Sequence, residues 1–174
     1  MKRQEHEKII IGFDPGTLVT GFGVIIVRDN RYHAVDYGCI RPPAKKKLSE
    51  RFLIIHRGVE EILQKYRPDA VALEQQYIPR KHNNPQSAIK LSIARGLVMI
   101  AAAAIEVPIF EYMPSASKKA TVGNGQASKV QVQKMVQQLL GLKNVPEPED
   151  AADALALAIC HAHAACSQRL PKSI

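Results

Sequence analysis

Hydrophobic positions along the chain change period repeatedly, and the changes mark out its elements. Lys8 to Asp14 (KIIIGFD) is a β-branched run that ends in the turn signal Asp-Pro-Gly. Gly21 to Val27 (GFGVIIV) and Tyr32 to Ile40 read as two further strands, so the chain opens as an antiparallel meander. From Leu48 the spacing becomes three or four: Leu48, Phe52, Ile55, Val59, Ile62, Leu63 and Tyr66 form one face of a helix that stops before Pro68. Asp69 to Glu74 (DAVALE) is a short buried strand. Asn84-Pro85 is a cap-and-start signal for a helix running to about Glu106. The second half of that helix, Leu97 to Ile105, is apolar all round, which places it in the core or at a subunit interface. Gly96 within it reads as a site of close packing. Pro108 to Tyr112 is a fifth strand. A loop with Gly123-Asn124-Gly125 follows, then a helix capped by Ser128 and stopped by Gly141, then a last helix from about Pro148 to Ser167. Three strands followed by alternating helices and strands describe a mixed-sheet α/β domain.

Composition narrows the classes. With 174 residues and 46% hydrophobic content the chain should fold as a single domain (1–174), with residues 1–7 and 168–174 flexible. The longest uninterrupted apolar run has nine residues (Leu97–Ile105), short of the ~20 that a bilayer requires, so no membrane association is expected. The charged N-terminus does not read as a signal peptide, and three cysteines without paired spacing fit free thiols in a cytoplasmic protein. Lys and Arg number 24 against 16 Asp and Glu, and the resulting +8 points to a polyanionic partner.

Four carboxylates give that charge a chemical focus. Asp14 and Glu74 end strands, while Asp150 and Asp153 open the last helix at i, i+3 spacing, which puts both on one face. Each has an ordinary explanation: a turn Asp, an exposed strand end, acids complementing a helix dipole. Taken together, carboxylates brought this close repel unless cations neutralise them, and hard oxygen ligands select Mg²⁺ or Mn²⁺. Two such ions suit phosphodiester chemistry. His161 and its neighbours Cys160, His163 and Cys166 do not have the spacing of a tetrahedral zinc site.

Cations alternate with these acids. No acid lies between Glu74 and Glu106, a stretch holding Arg80, Lys81, Lys90 and Arg95, nor between Glu111 and Glu147, where Lys118, Lys119, Lys129, Lys134 and Lys143 lie. The alternative is a solvated basic face. Tyr77, just past Glu74, can stack on a base or simply pack.

The segments IGFDPGTLVTGFGV, VALEQQY, SAIKLSIARG, VGNGQASKVQVQKMV and EDAADALALAICHAH, in this order and spacing, resemble the RuvC family of crossover junction endodeoxyribonucleases, the bacterial Holliday junction resolvases. The likeness covers roughly Lys8 to His163. It implies a ribonuclease H-like fold, a five-stranded mixed sheet flanked by helices. It also implies a homodimer that resolves four-way DNA junctions by two symmetric metal-dependent nicks, leaving 5′-phosphate and 3′-hydroxyl ends. Catalytic and metal-binding roles fall on Asp14, Glu74, Asp150 and Asp153, with two Mg²⁺ per subunit and Mn²⁺ as a substitute. DNA contacts fall on Tyr77, Lys118 and Lys129, with Arg80 and Lys81 beside them, and RuvA and RuvB are the implied partners. Two departures stand out: the segment from Tyr77 to Pro85 is longer than usual, and Leu18 stands where a basic residue is common. The competing readings are a related nuclease acting on RNA or other branched DNA, a non-catalytic junction binder, and a sugar-kinase-like ATP-binding protein.

Overall fold

The computed structural model describes residues 7–29, 31–75 and 85–174. Its elements are β1 (Lys8–Asp14), β2 (Thr20–Arg28), β3 (Arg31–Ile40), α1 (Leu48–Tyr66), β4 (Ala70–Glu74), α2 (Pro85–Ala103), β5 (Ile109–Tyr112), α3 (Pro114–Val122), α4 (Lys129–Leu140) and α5 (Glu149–Cys166). The sheet runs β3-β2-β1-β4-β5. The meander β1–β3 is antiparallel, while β4 is parallel to β1 and β5 parallel to β4. This is the five-stranded mixed sheet of the ribonuclease H-like expectation.

Strand alternation sends successive side chains to opposite layers. Ile11, Phe13, Val24, Val71 and Leu73 pack with α1 and α2 on one face. Ile10 and Ile25 pack on the other face with α4 and α5, and Ala72 joins Leu157 of α5 there. Asp14 continues the Ile10-Gly12 side of β1, and Glu74 the Ala70-Ala72 side of β4. Both acids therefore point toward the layer that α5 occupies.

Helix α5 lies unusually close to the sheet. A Cβ on Gly12 would come within 1.9 Å of the Ala154 carbonyl oxygen, and one on Gly21 within 2.0 Å of the Asp150 carbonyl oxygen. Only glycine permits that approach, and Gly21 is the register partner of Asp14. The close seating buries α5 nearly all round, from Ala151 to Ala162 with only Asp153 half-exposed among them. The buried surface is thus wider than the single stripe Ala151, Leu155, Ala158, Ile159 and Ala162.

Two expectations need correction, and a third is narrowed to the subunit-interface alternative. Residues 114–122 form the helix α3 rather than part of a loop. The apolar half of α2 is not enclosed by this chain: Val98, Ala101 and Ala102 are buried, but Ile100 is 61% exposed, and Ile89 and Ile93 are also open. A Cβ on Gly96 would meet nothing within 4 Å, so close packing inside this chain is not its role. At 19 residues, α2 is also long and apolar enough, by length and composition alone, to cross a bilayer; Lys90 and Arg95 interrupt its apolar run. The C-terminal Ile174 donates its N–H to the Ile109 carbonyl (3.0 Å), so the end of the chain lies beside β5.

Candidate active site

Parallel pairing of β1 with β4 sets Phe13 beside Leu73, which brings the next residues of each strand, Asp14 and Glu74, together at the same sheet edge. Beyond Asp14 the chain turns through Pro15 and Gly16. The Thr20 hydroxyl, fully buried, closes this turn by donating to the Gly16 carbonyl (2.9 Å) and accepting from the Gly16 N–H (3.3 Å). The side chain of Arg51 donates to the Thr17 carbonyl from α1. The strand-end acid is therefore held by a braced loop rather than a free one. The start of α5, seated on Gly21, carries Asp150 and Asp153 over the same place.

Electrostatics record the crowding. Burial, then the charges of Glu74, Asp153 and Asp150, push the Asp14 carboxyl up to about 8. Glu74 is also raised, first by burial and then by Asp153, with Lys129 and Lys118 opposing. Asp153 is raised by burial and by Asp150, against the pull of Lys129. Asp14 and Glu74 lie within side-chain hydrogen-bond reach of each other, and that contact raises Asp14 further. The Lys129 ammonium lies 3.2 Å from Glu149 and 3.5 Å from Asp153.

Two cavities adjoin these acids. One, of about 240 Å³, is lined by Asp14, Glu74 and Asp153 together with Ser117, Lys118 and Lys129. Lys118 comes from α3, which starts at Pro114, and Lys129 is the first residue of α4. There Ser128 caps the helix by accepting from the Gln131 N–H (3.3 Å), while the Gln131 side chain accepts from the Ser128 N–H (2.8 Å). The other cavity, of about 360 Å³, opens from Asp14 and Glu74 toward Pro15, Gln75, Leu91, Arg95 and Pro114. Asp150 lines neither cavity; it acts on Asp14 through its charge.

Of the sequence candidates, Asp14, Glu74, Asp153, Lys118 and Lys129 meet in one cleft, with Asp150 at its margin. Tyr77, Arg80 and Lys81, the segment holding them up to residue 84, and the Asn84 cap lie outside the described residues. Among the described residues no three His, Cys, Asp or Glu side chains converge tightly enough to chelate one ion. The Lys129 ammonium engages Asp153 instead. The donor set nonetheless fits a divalent cation, because burial and like charge raise the proton affinity of these carboxylates and a bound cation would relieve both. His161 is buried against Phe110, with Nδ1 2.9 Å from the Tyr112 hydroxyl, outside this cleft. Leu18 is 54% exposed on the loop after Asp14.

Several participants escaped the sequence reading. Gly12 and Gly21 set the height of α5; their signal was a lone Gly within the Ile-rich β1 and the Gly21, Gly23 alternation of β2. Ser117 lines the smaller cavity and Gln75 and Leu91 the larger, and no local pattern distinguishes them; Arg95, read only as one of the basic residues after Glu74, lines the larger cavity too.

The model of the family described as crossover junction endodeoxyribonuclease RuvC matches residues 10–161. The protein of that name from Protochlamydia amoebophila is 58% identical over 157 residues, covering 90% of this chain and 92% of its own. Its counterpart from Clostridioides difficile is 41% identical over 166 residues and covers 95% of each chain. The Thermus thermophilus RuvC structure in complex with Holliday junction substrate superposes with a TM-score of 0.88 at 35% identity, covering 96% of this chain and 99% of the other.

Proposed function

Because this chain belongs to the RuvC family of crossover junction endodeoxyribonucleases, we propose that Asp14, Glu74, Asp150 and Asp153 are the residues with which it cuts. The protein is a Holliday junction resolvase, a metal-dependent nuclease of DNA recombination and repair whose paired nicks leave 5′-phosphate and 3′-hydroxyl ends. The carrying observation is the meeting of two strand-end acids with the acidic first turn of α5, in a cleft whose far wall is Lys118 and Lys129.

The acids would hold two Mg²⁺ per subunit, with Mn²⁺ as a substitute. Asp14, the most deeply buried of them, would hold the ions together with Glu74 and Asp153. When bound, such ions supply an activated water and neutralise charge on the phosphoryl oxygens. The protein's own groups do the rest. Lys118 draws the phosphate into the cleft, and Lys129 exchanges its carboxylate partners for phosphate oxygens. Asp150, at the margin, orients the attacking water. Tyr77, Arg80 and Lys81 contact DNA beyond Glu74.

A homodimer completes this reading. Ile89, Ile93 and Ile100 on α2 are exposed at 60%, 42% and 61%, an apolar surface suited to a second copy of the chain. A two-fold protein then meets a nearly two-fold junction, so that each site faces an equivalent strand. We further propose RuvA and RuvB as working partners and the bacterial cytoplasm as the compartment, readings that the family resemblance supports.

The test is a synthetic mobile four-way junction incubated with and without Mg²⁺, mapping nicks on all four strands. Wild-type protein should nick two opposed strands symmetrically, and Asp14→Asn should bind the junction without cutting it. Full cleavage by Asp14→Asn would overturn the assignment of the centre.

A further inference from the structure

The larger cavity beside the acids has a chemistry that catalysis by the carboxylates and two lysines leaves unused. Its volume of about 360 Å³ lies within the ~300–1,000 Å³ of ligand clefts. Pro15, Leu91 and Pro114 give it an apolar wall, and Arg95 contributes its cation. Arg95 stands on α2 and pairs with Glu111 of β5, each side chain about four-fifths buried (21% and 20% exposed). Glu111 is the register partner of Leu73, one residue before Glu74, so the pair is anchored to the strand that carries a catalytic acid.

This pairing is poor as a purely structural device. A guanidinium offers five donors, and a single carboxylate satisfies at most part of them. The Arg95 Nε is buried without a hydrogen-bond partner, and burial disfavours its charged form. Replacing such a pair with apolar side chains is often neutral or stabilising, so stability alone does not account for it. Arg95 lines the cavity beside the acids, and a guanidinium placed there has the planar fork of donors that suits a phosphate. The position completes a symmetry of charge: Lys118 and Lys129 stand on one side of Asp14 and Glu74, and Arg95 stands on the other.

We propose that the cavity walled by Pro15, Leu91 and Pro114 is a subsite for the nucleotide next to the scissile phosphate, and that Arg95, oriented by Glu111, contacts that nucleotide's phosphate. The inference rests on the reading of the four carboxylates as the cutting centre. The strand would cross the acids with one phosphate directed toward the lysines and its neighbour toward Arg95, while the sugar lies on the apolar wall. Arg95 thereby fixes which phosphate reaches the acids.

The experiment uses four-way junctions in which single phosphates flanking the cleavage point are replaced by neutral methylphosphonates. Wild-type protein should lose roughly tenfold or more in cleavage rate at one flanking position. Arg95→Gln should lose a similar factor on unmodified DNA and none further at that position, and its salt dependence of binding should fall by about one charge. Leu91→Asn, at a solvent-exposed position of the same wall, tests the subsite without placing a new charge beside Arg95: it should slow cleavage of unmodified DNA severalfold while keeping the wild-type penalty at the sensitive methylphosphonate position. Wild-type indifference to both flanking neutralisations, additive losses in Arg95→Gln, or wild-type speed in Leu91→Asn would each overturn the subsite. Asp14→Asn, run alongside, separates the two readings: its activity would refute the cutting centre, whereas its inactivity together with additive Arg95 losses would refute the subsite alone.

Discussion

Helices α2 and α5 are close in length, 19 and 18 residues, and both are rich in Ala, Ile and Leu, yet the fold treats them oppositely. Eleven residues of α5 are buried, from Ala151 to Ala162, whereas only Ala94, Val98, Ala101 and Ala102 of α2 are. The difference lies in the surfaces they meet. Gly12 and Gly21 let α5 settle onto the sheet, and α3 and α4 cover its sides. Helix α2 leans on α1 and the edge of the sheet with one face and leaves Ile89, Ile93 and Ile100 open. Apolar composition states that a helix seeks cover; the neighbours decide whether the same chain provides it. The contrast has a functional side. Two catalytic candidates sit on the helix that is locked, and the proposed contact with a second copy belongs to the helix that is not.

The sharpest way to break this contrast is to lift α5. Gly12→Val pushes a branched side chain into the Ala154 carbonyl, 1.9 Å from where its Cβ would lie, and should cost about 3 kcal/mol or more. Urea unfolding and junction cleavage should fall together, since Asp150 and Asp153 move with the helix. An unchanged midpoint would mean that α5 does not rest on β1.

A second effect concerns the far end of α5. Burial pushes the His161 imidazole down to about 4, so it is neutral in the fold, against an ordinary value near 6.5. The unfolded chain takes up the proton first. Stability is therefore full above pH ~6.5 and declines toward pH 4, by on the order of 3 kcal/mol. His161→Gln keeps a partner for the Tyr112 hydroxyl while removing that slope. Equal pH slopes in both proteins would assign the acid sensitivity to other groups.

For α2, Ile100→Lys should leave monomer stability within about 0.5 kcal/mol, because the position is exposed in the single chain. It should weaken self-association by about 1.5 kcal/mol or more, over tenfold in dimer Kd by sedimentation. The smallest effect is Gly96→Ala. With nothing within 4 Å of the new methyl, it should stabilise the chain by about 0.5–1 kcal/mol. Loss of dimer in that variant would place Gly96 against the second copy.

Much of this architecture could be read from local pattern. The strand β1, the helix α1 ended by Pro68, and the helix α4 between Ser128 and Gly141 carry their period and their stops in adjacent residues. Helix α3 does not. Its buried residues are Ser117 and Thr121, so no apolar stripe reveals it, and it is held by its packing on α5 and by Pro114 at its start. Asp14, Glu74 and Asp153 were conspicuous because each interrupts an apolar or small-residue run, and Asp150 because it shares a helix face with Asp153. Arg95 was not: its partner Glu111 lies sixteen positions away on another element, and the cation reads locally as one more basic residue.

Local chemistry is sufficient to determine which segments form strands and helices, that acids close two of those strands and open the last helix, and that cations lie between them. Short-range sterics and hydrophobic period act over a few residues, and the chain displays them directly. Three-dimensional folding alone decides that Asp14 and Glu74, sixty positions apart, end side by side, and that glycines lower Asp150 and Asp153 onto them. It also decides that α5 is enclosed while α2 is left open. Those outcomes depend on which distant surfaces meet, and burial and like-charge repulsion then give Asp14 a proton affinity that no isolated Asp possesses.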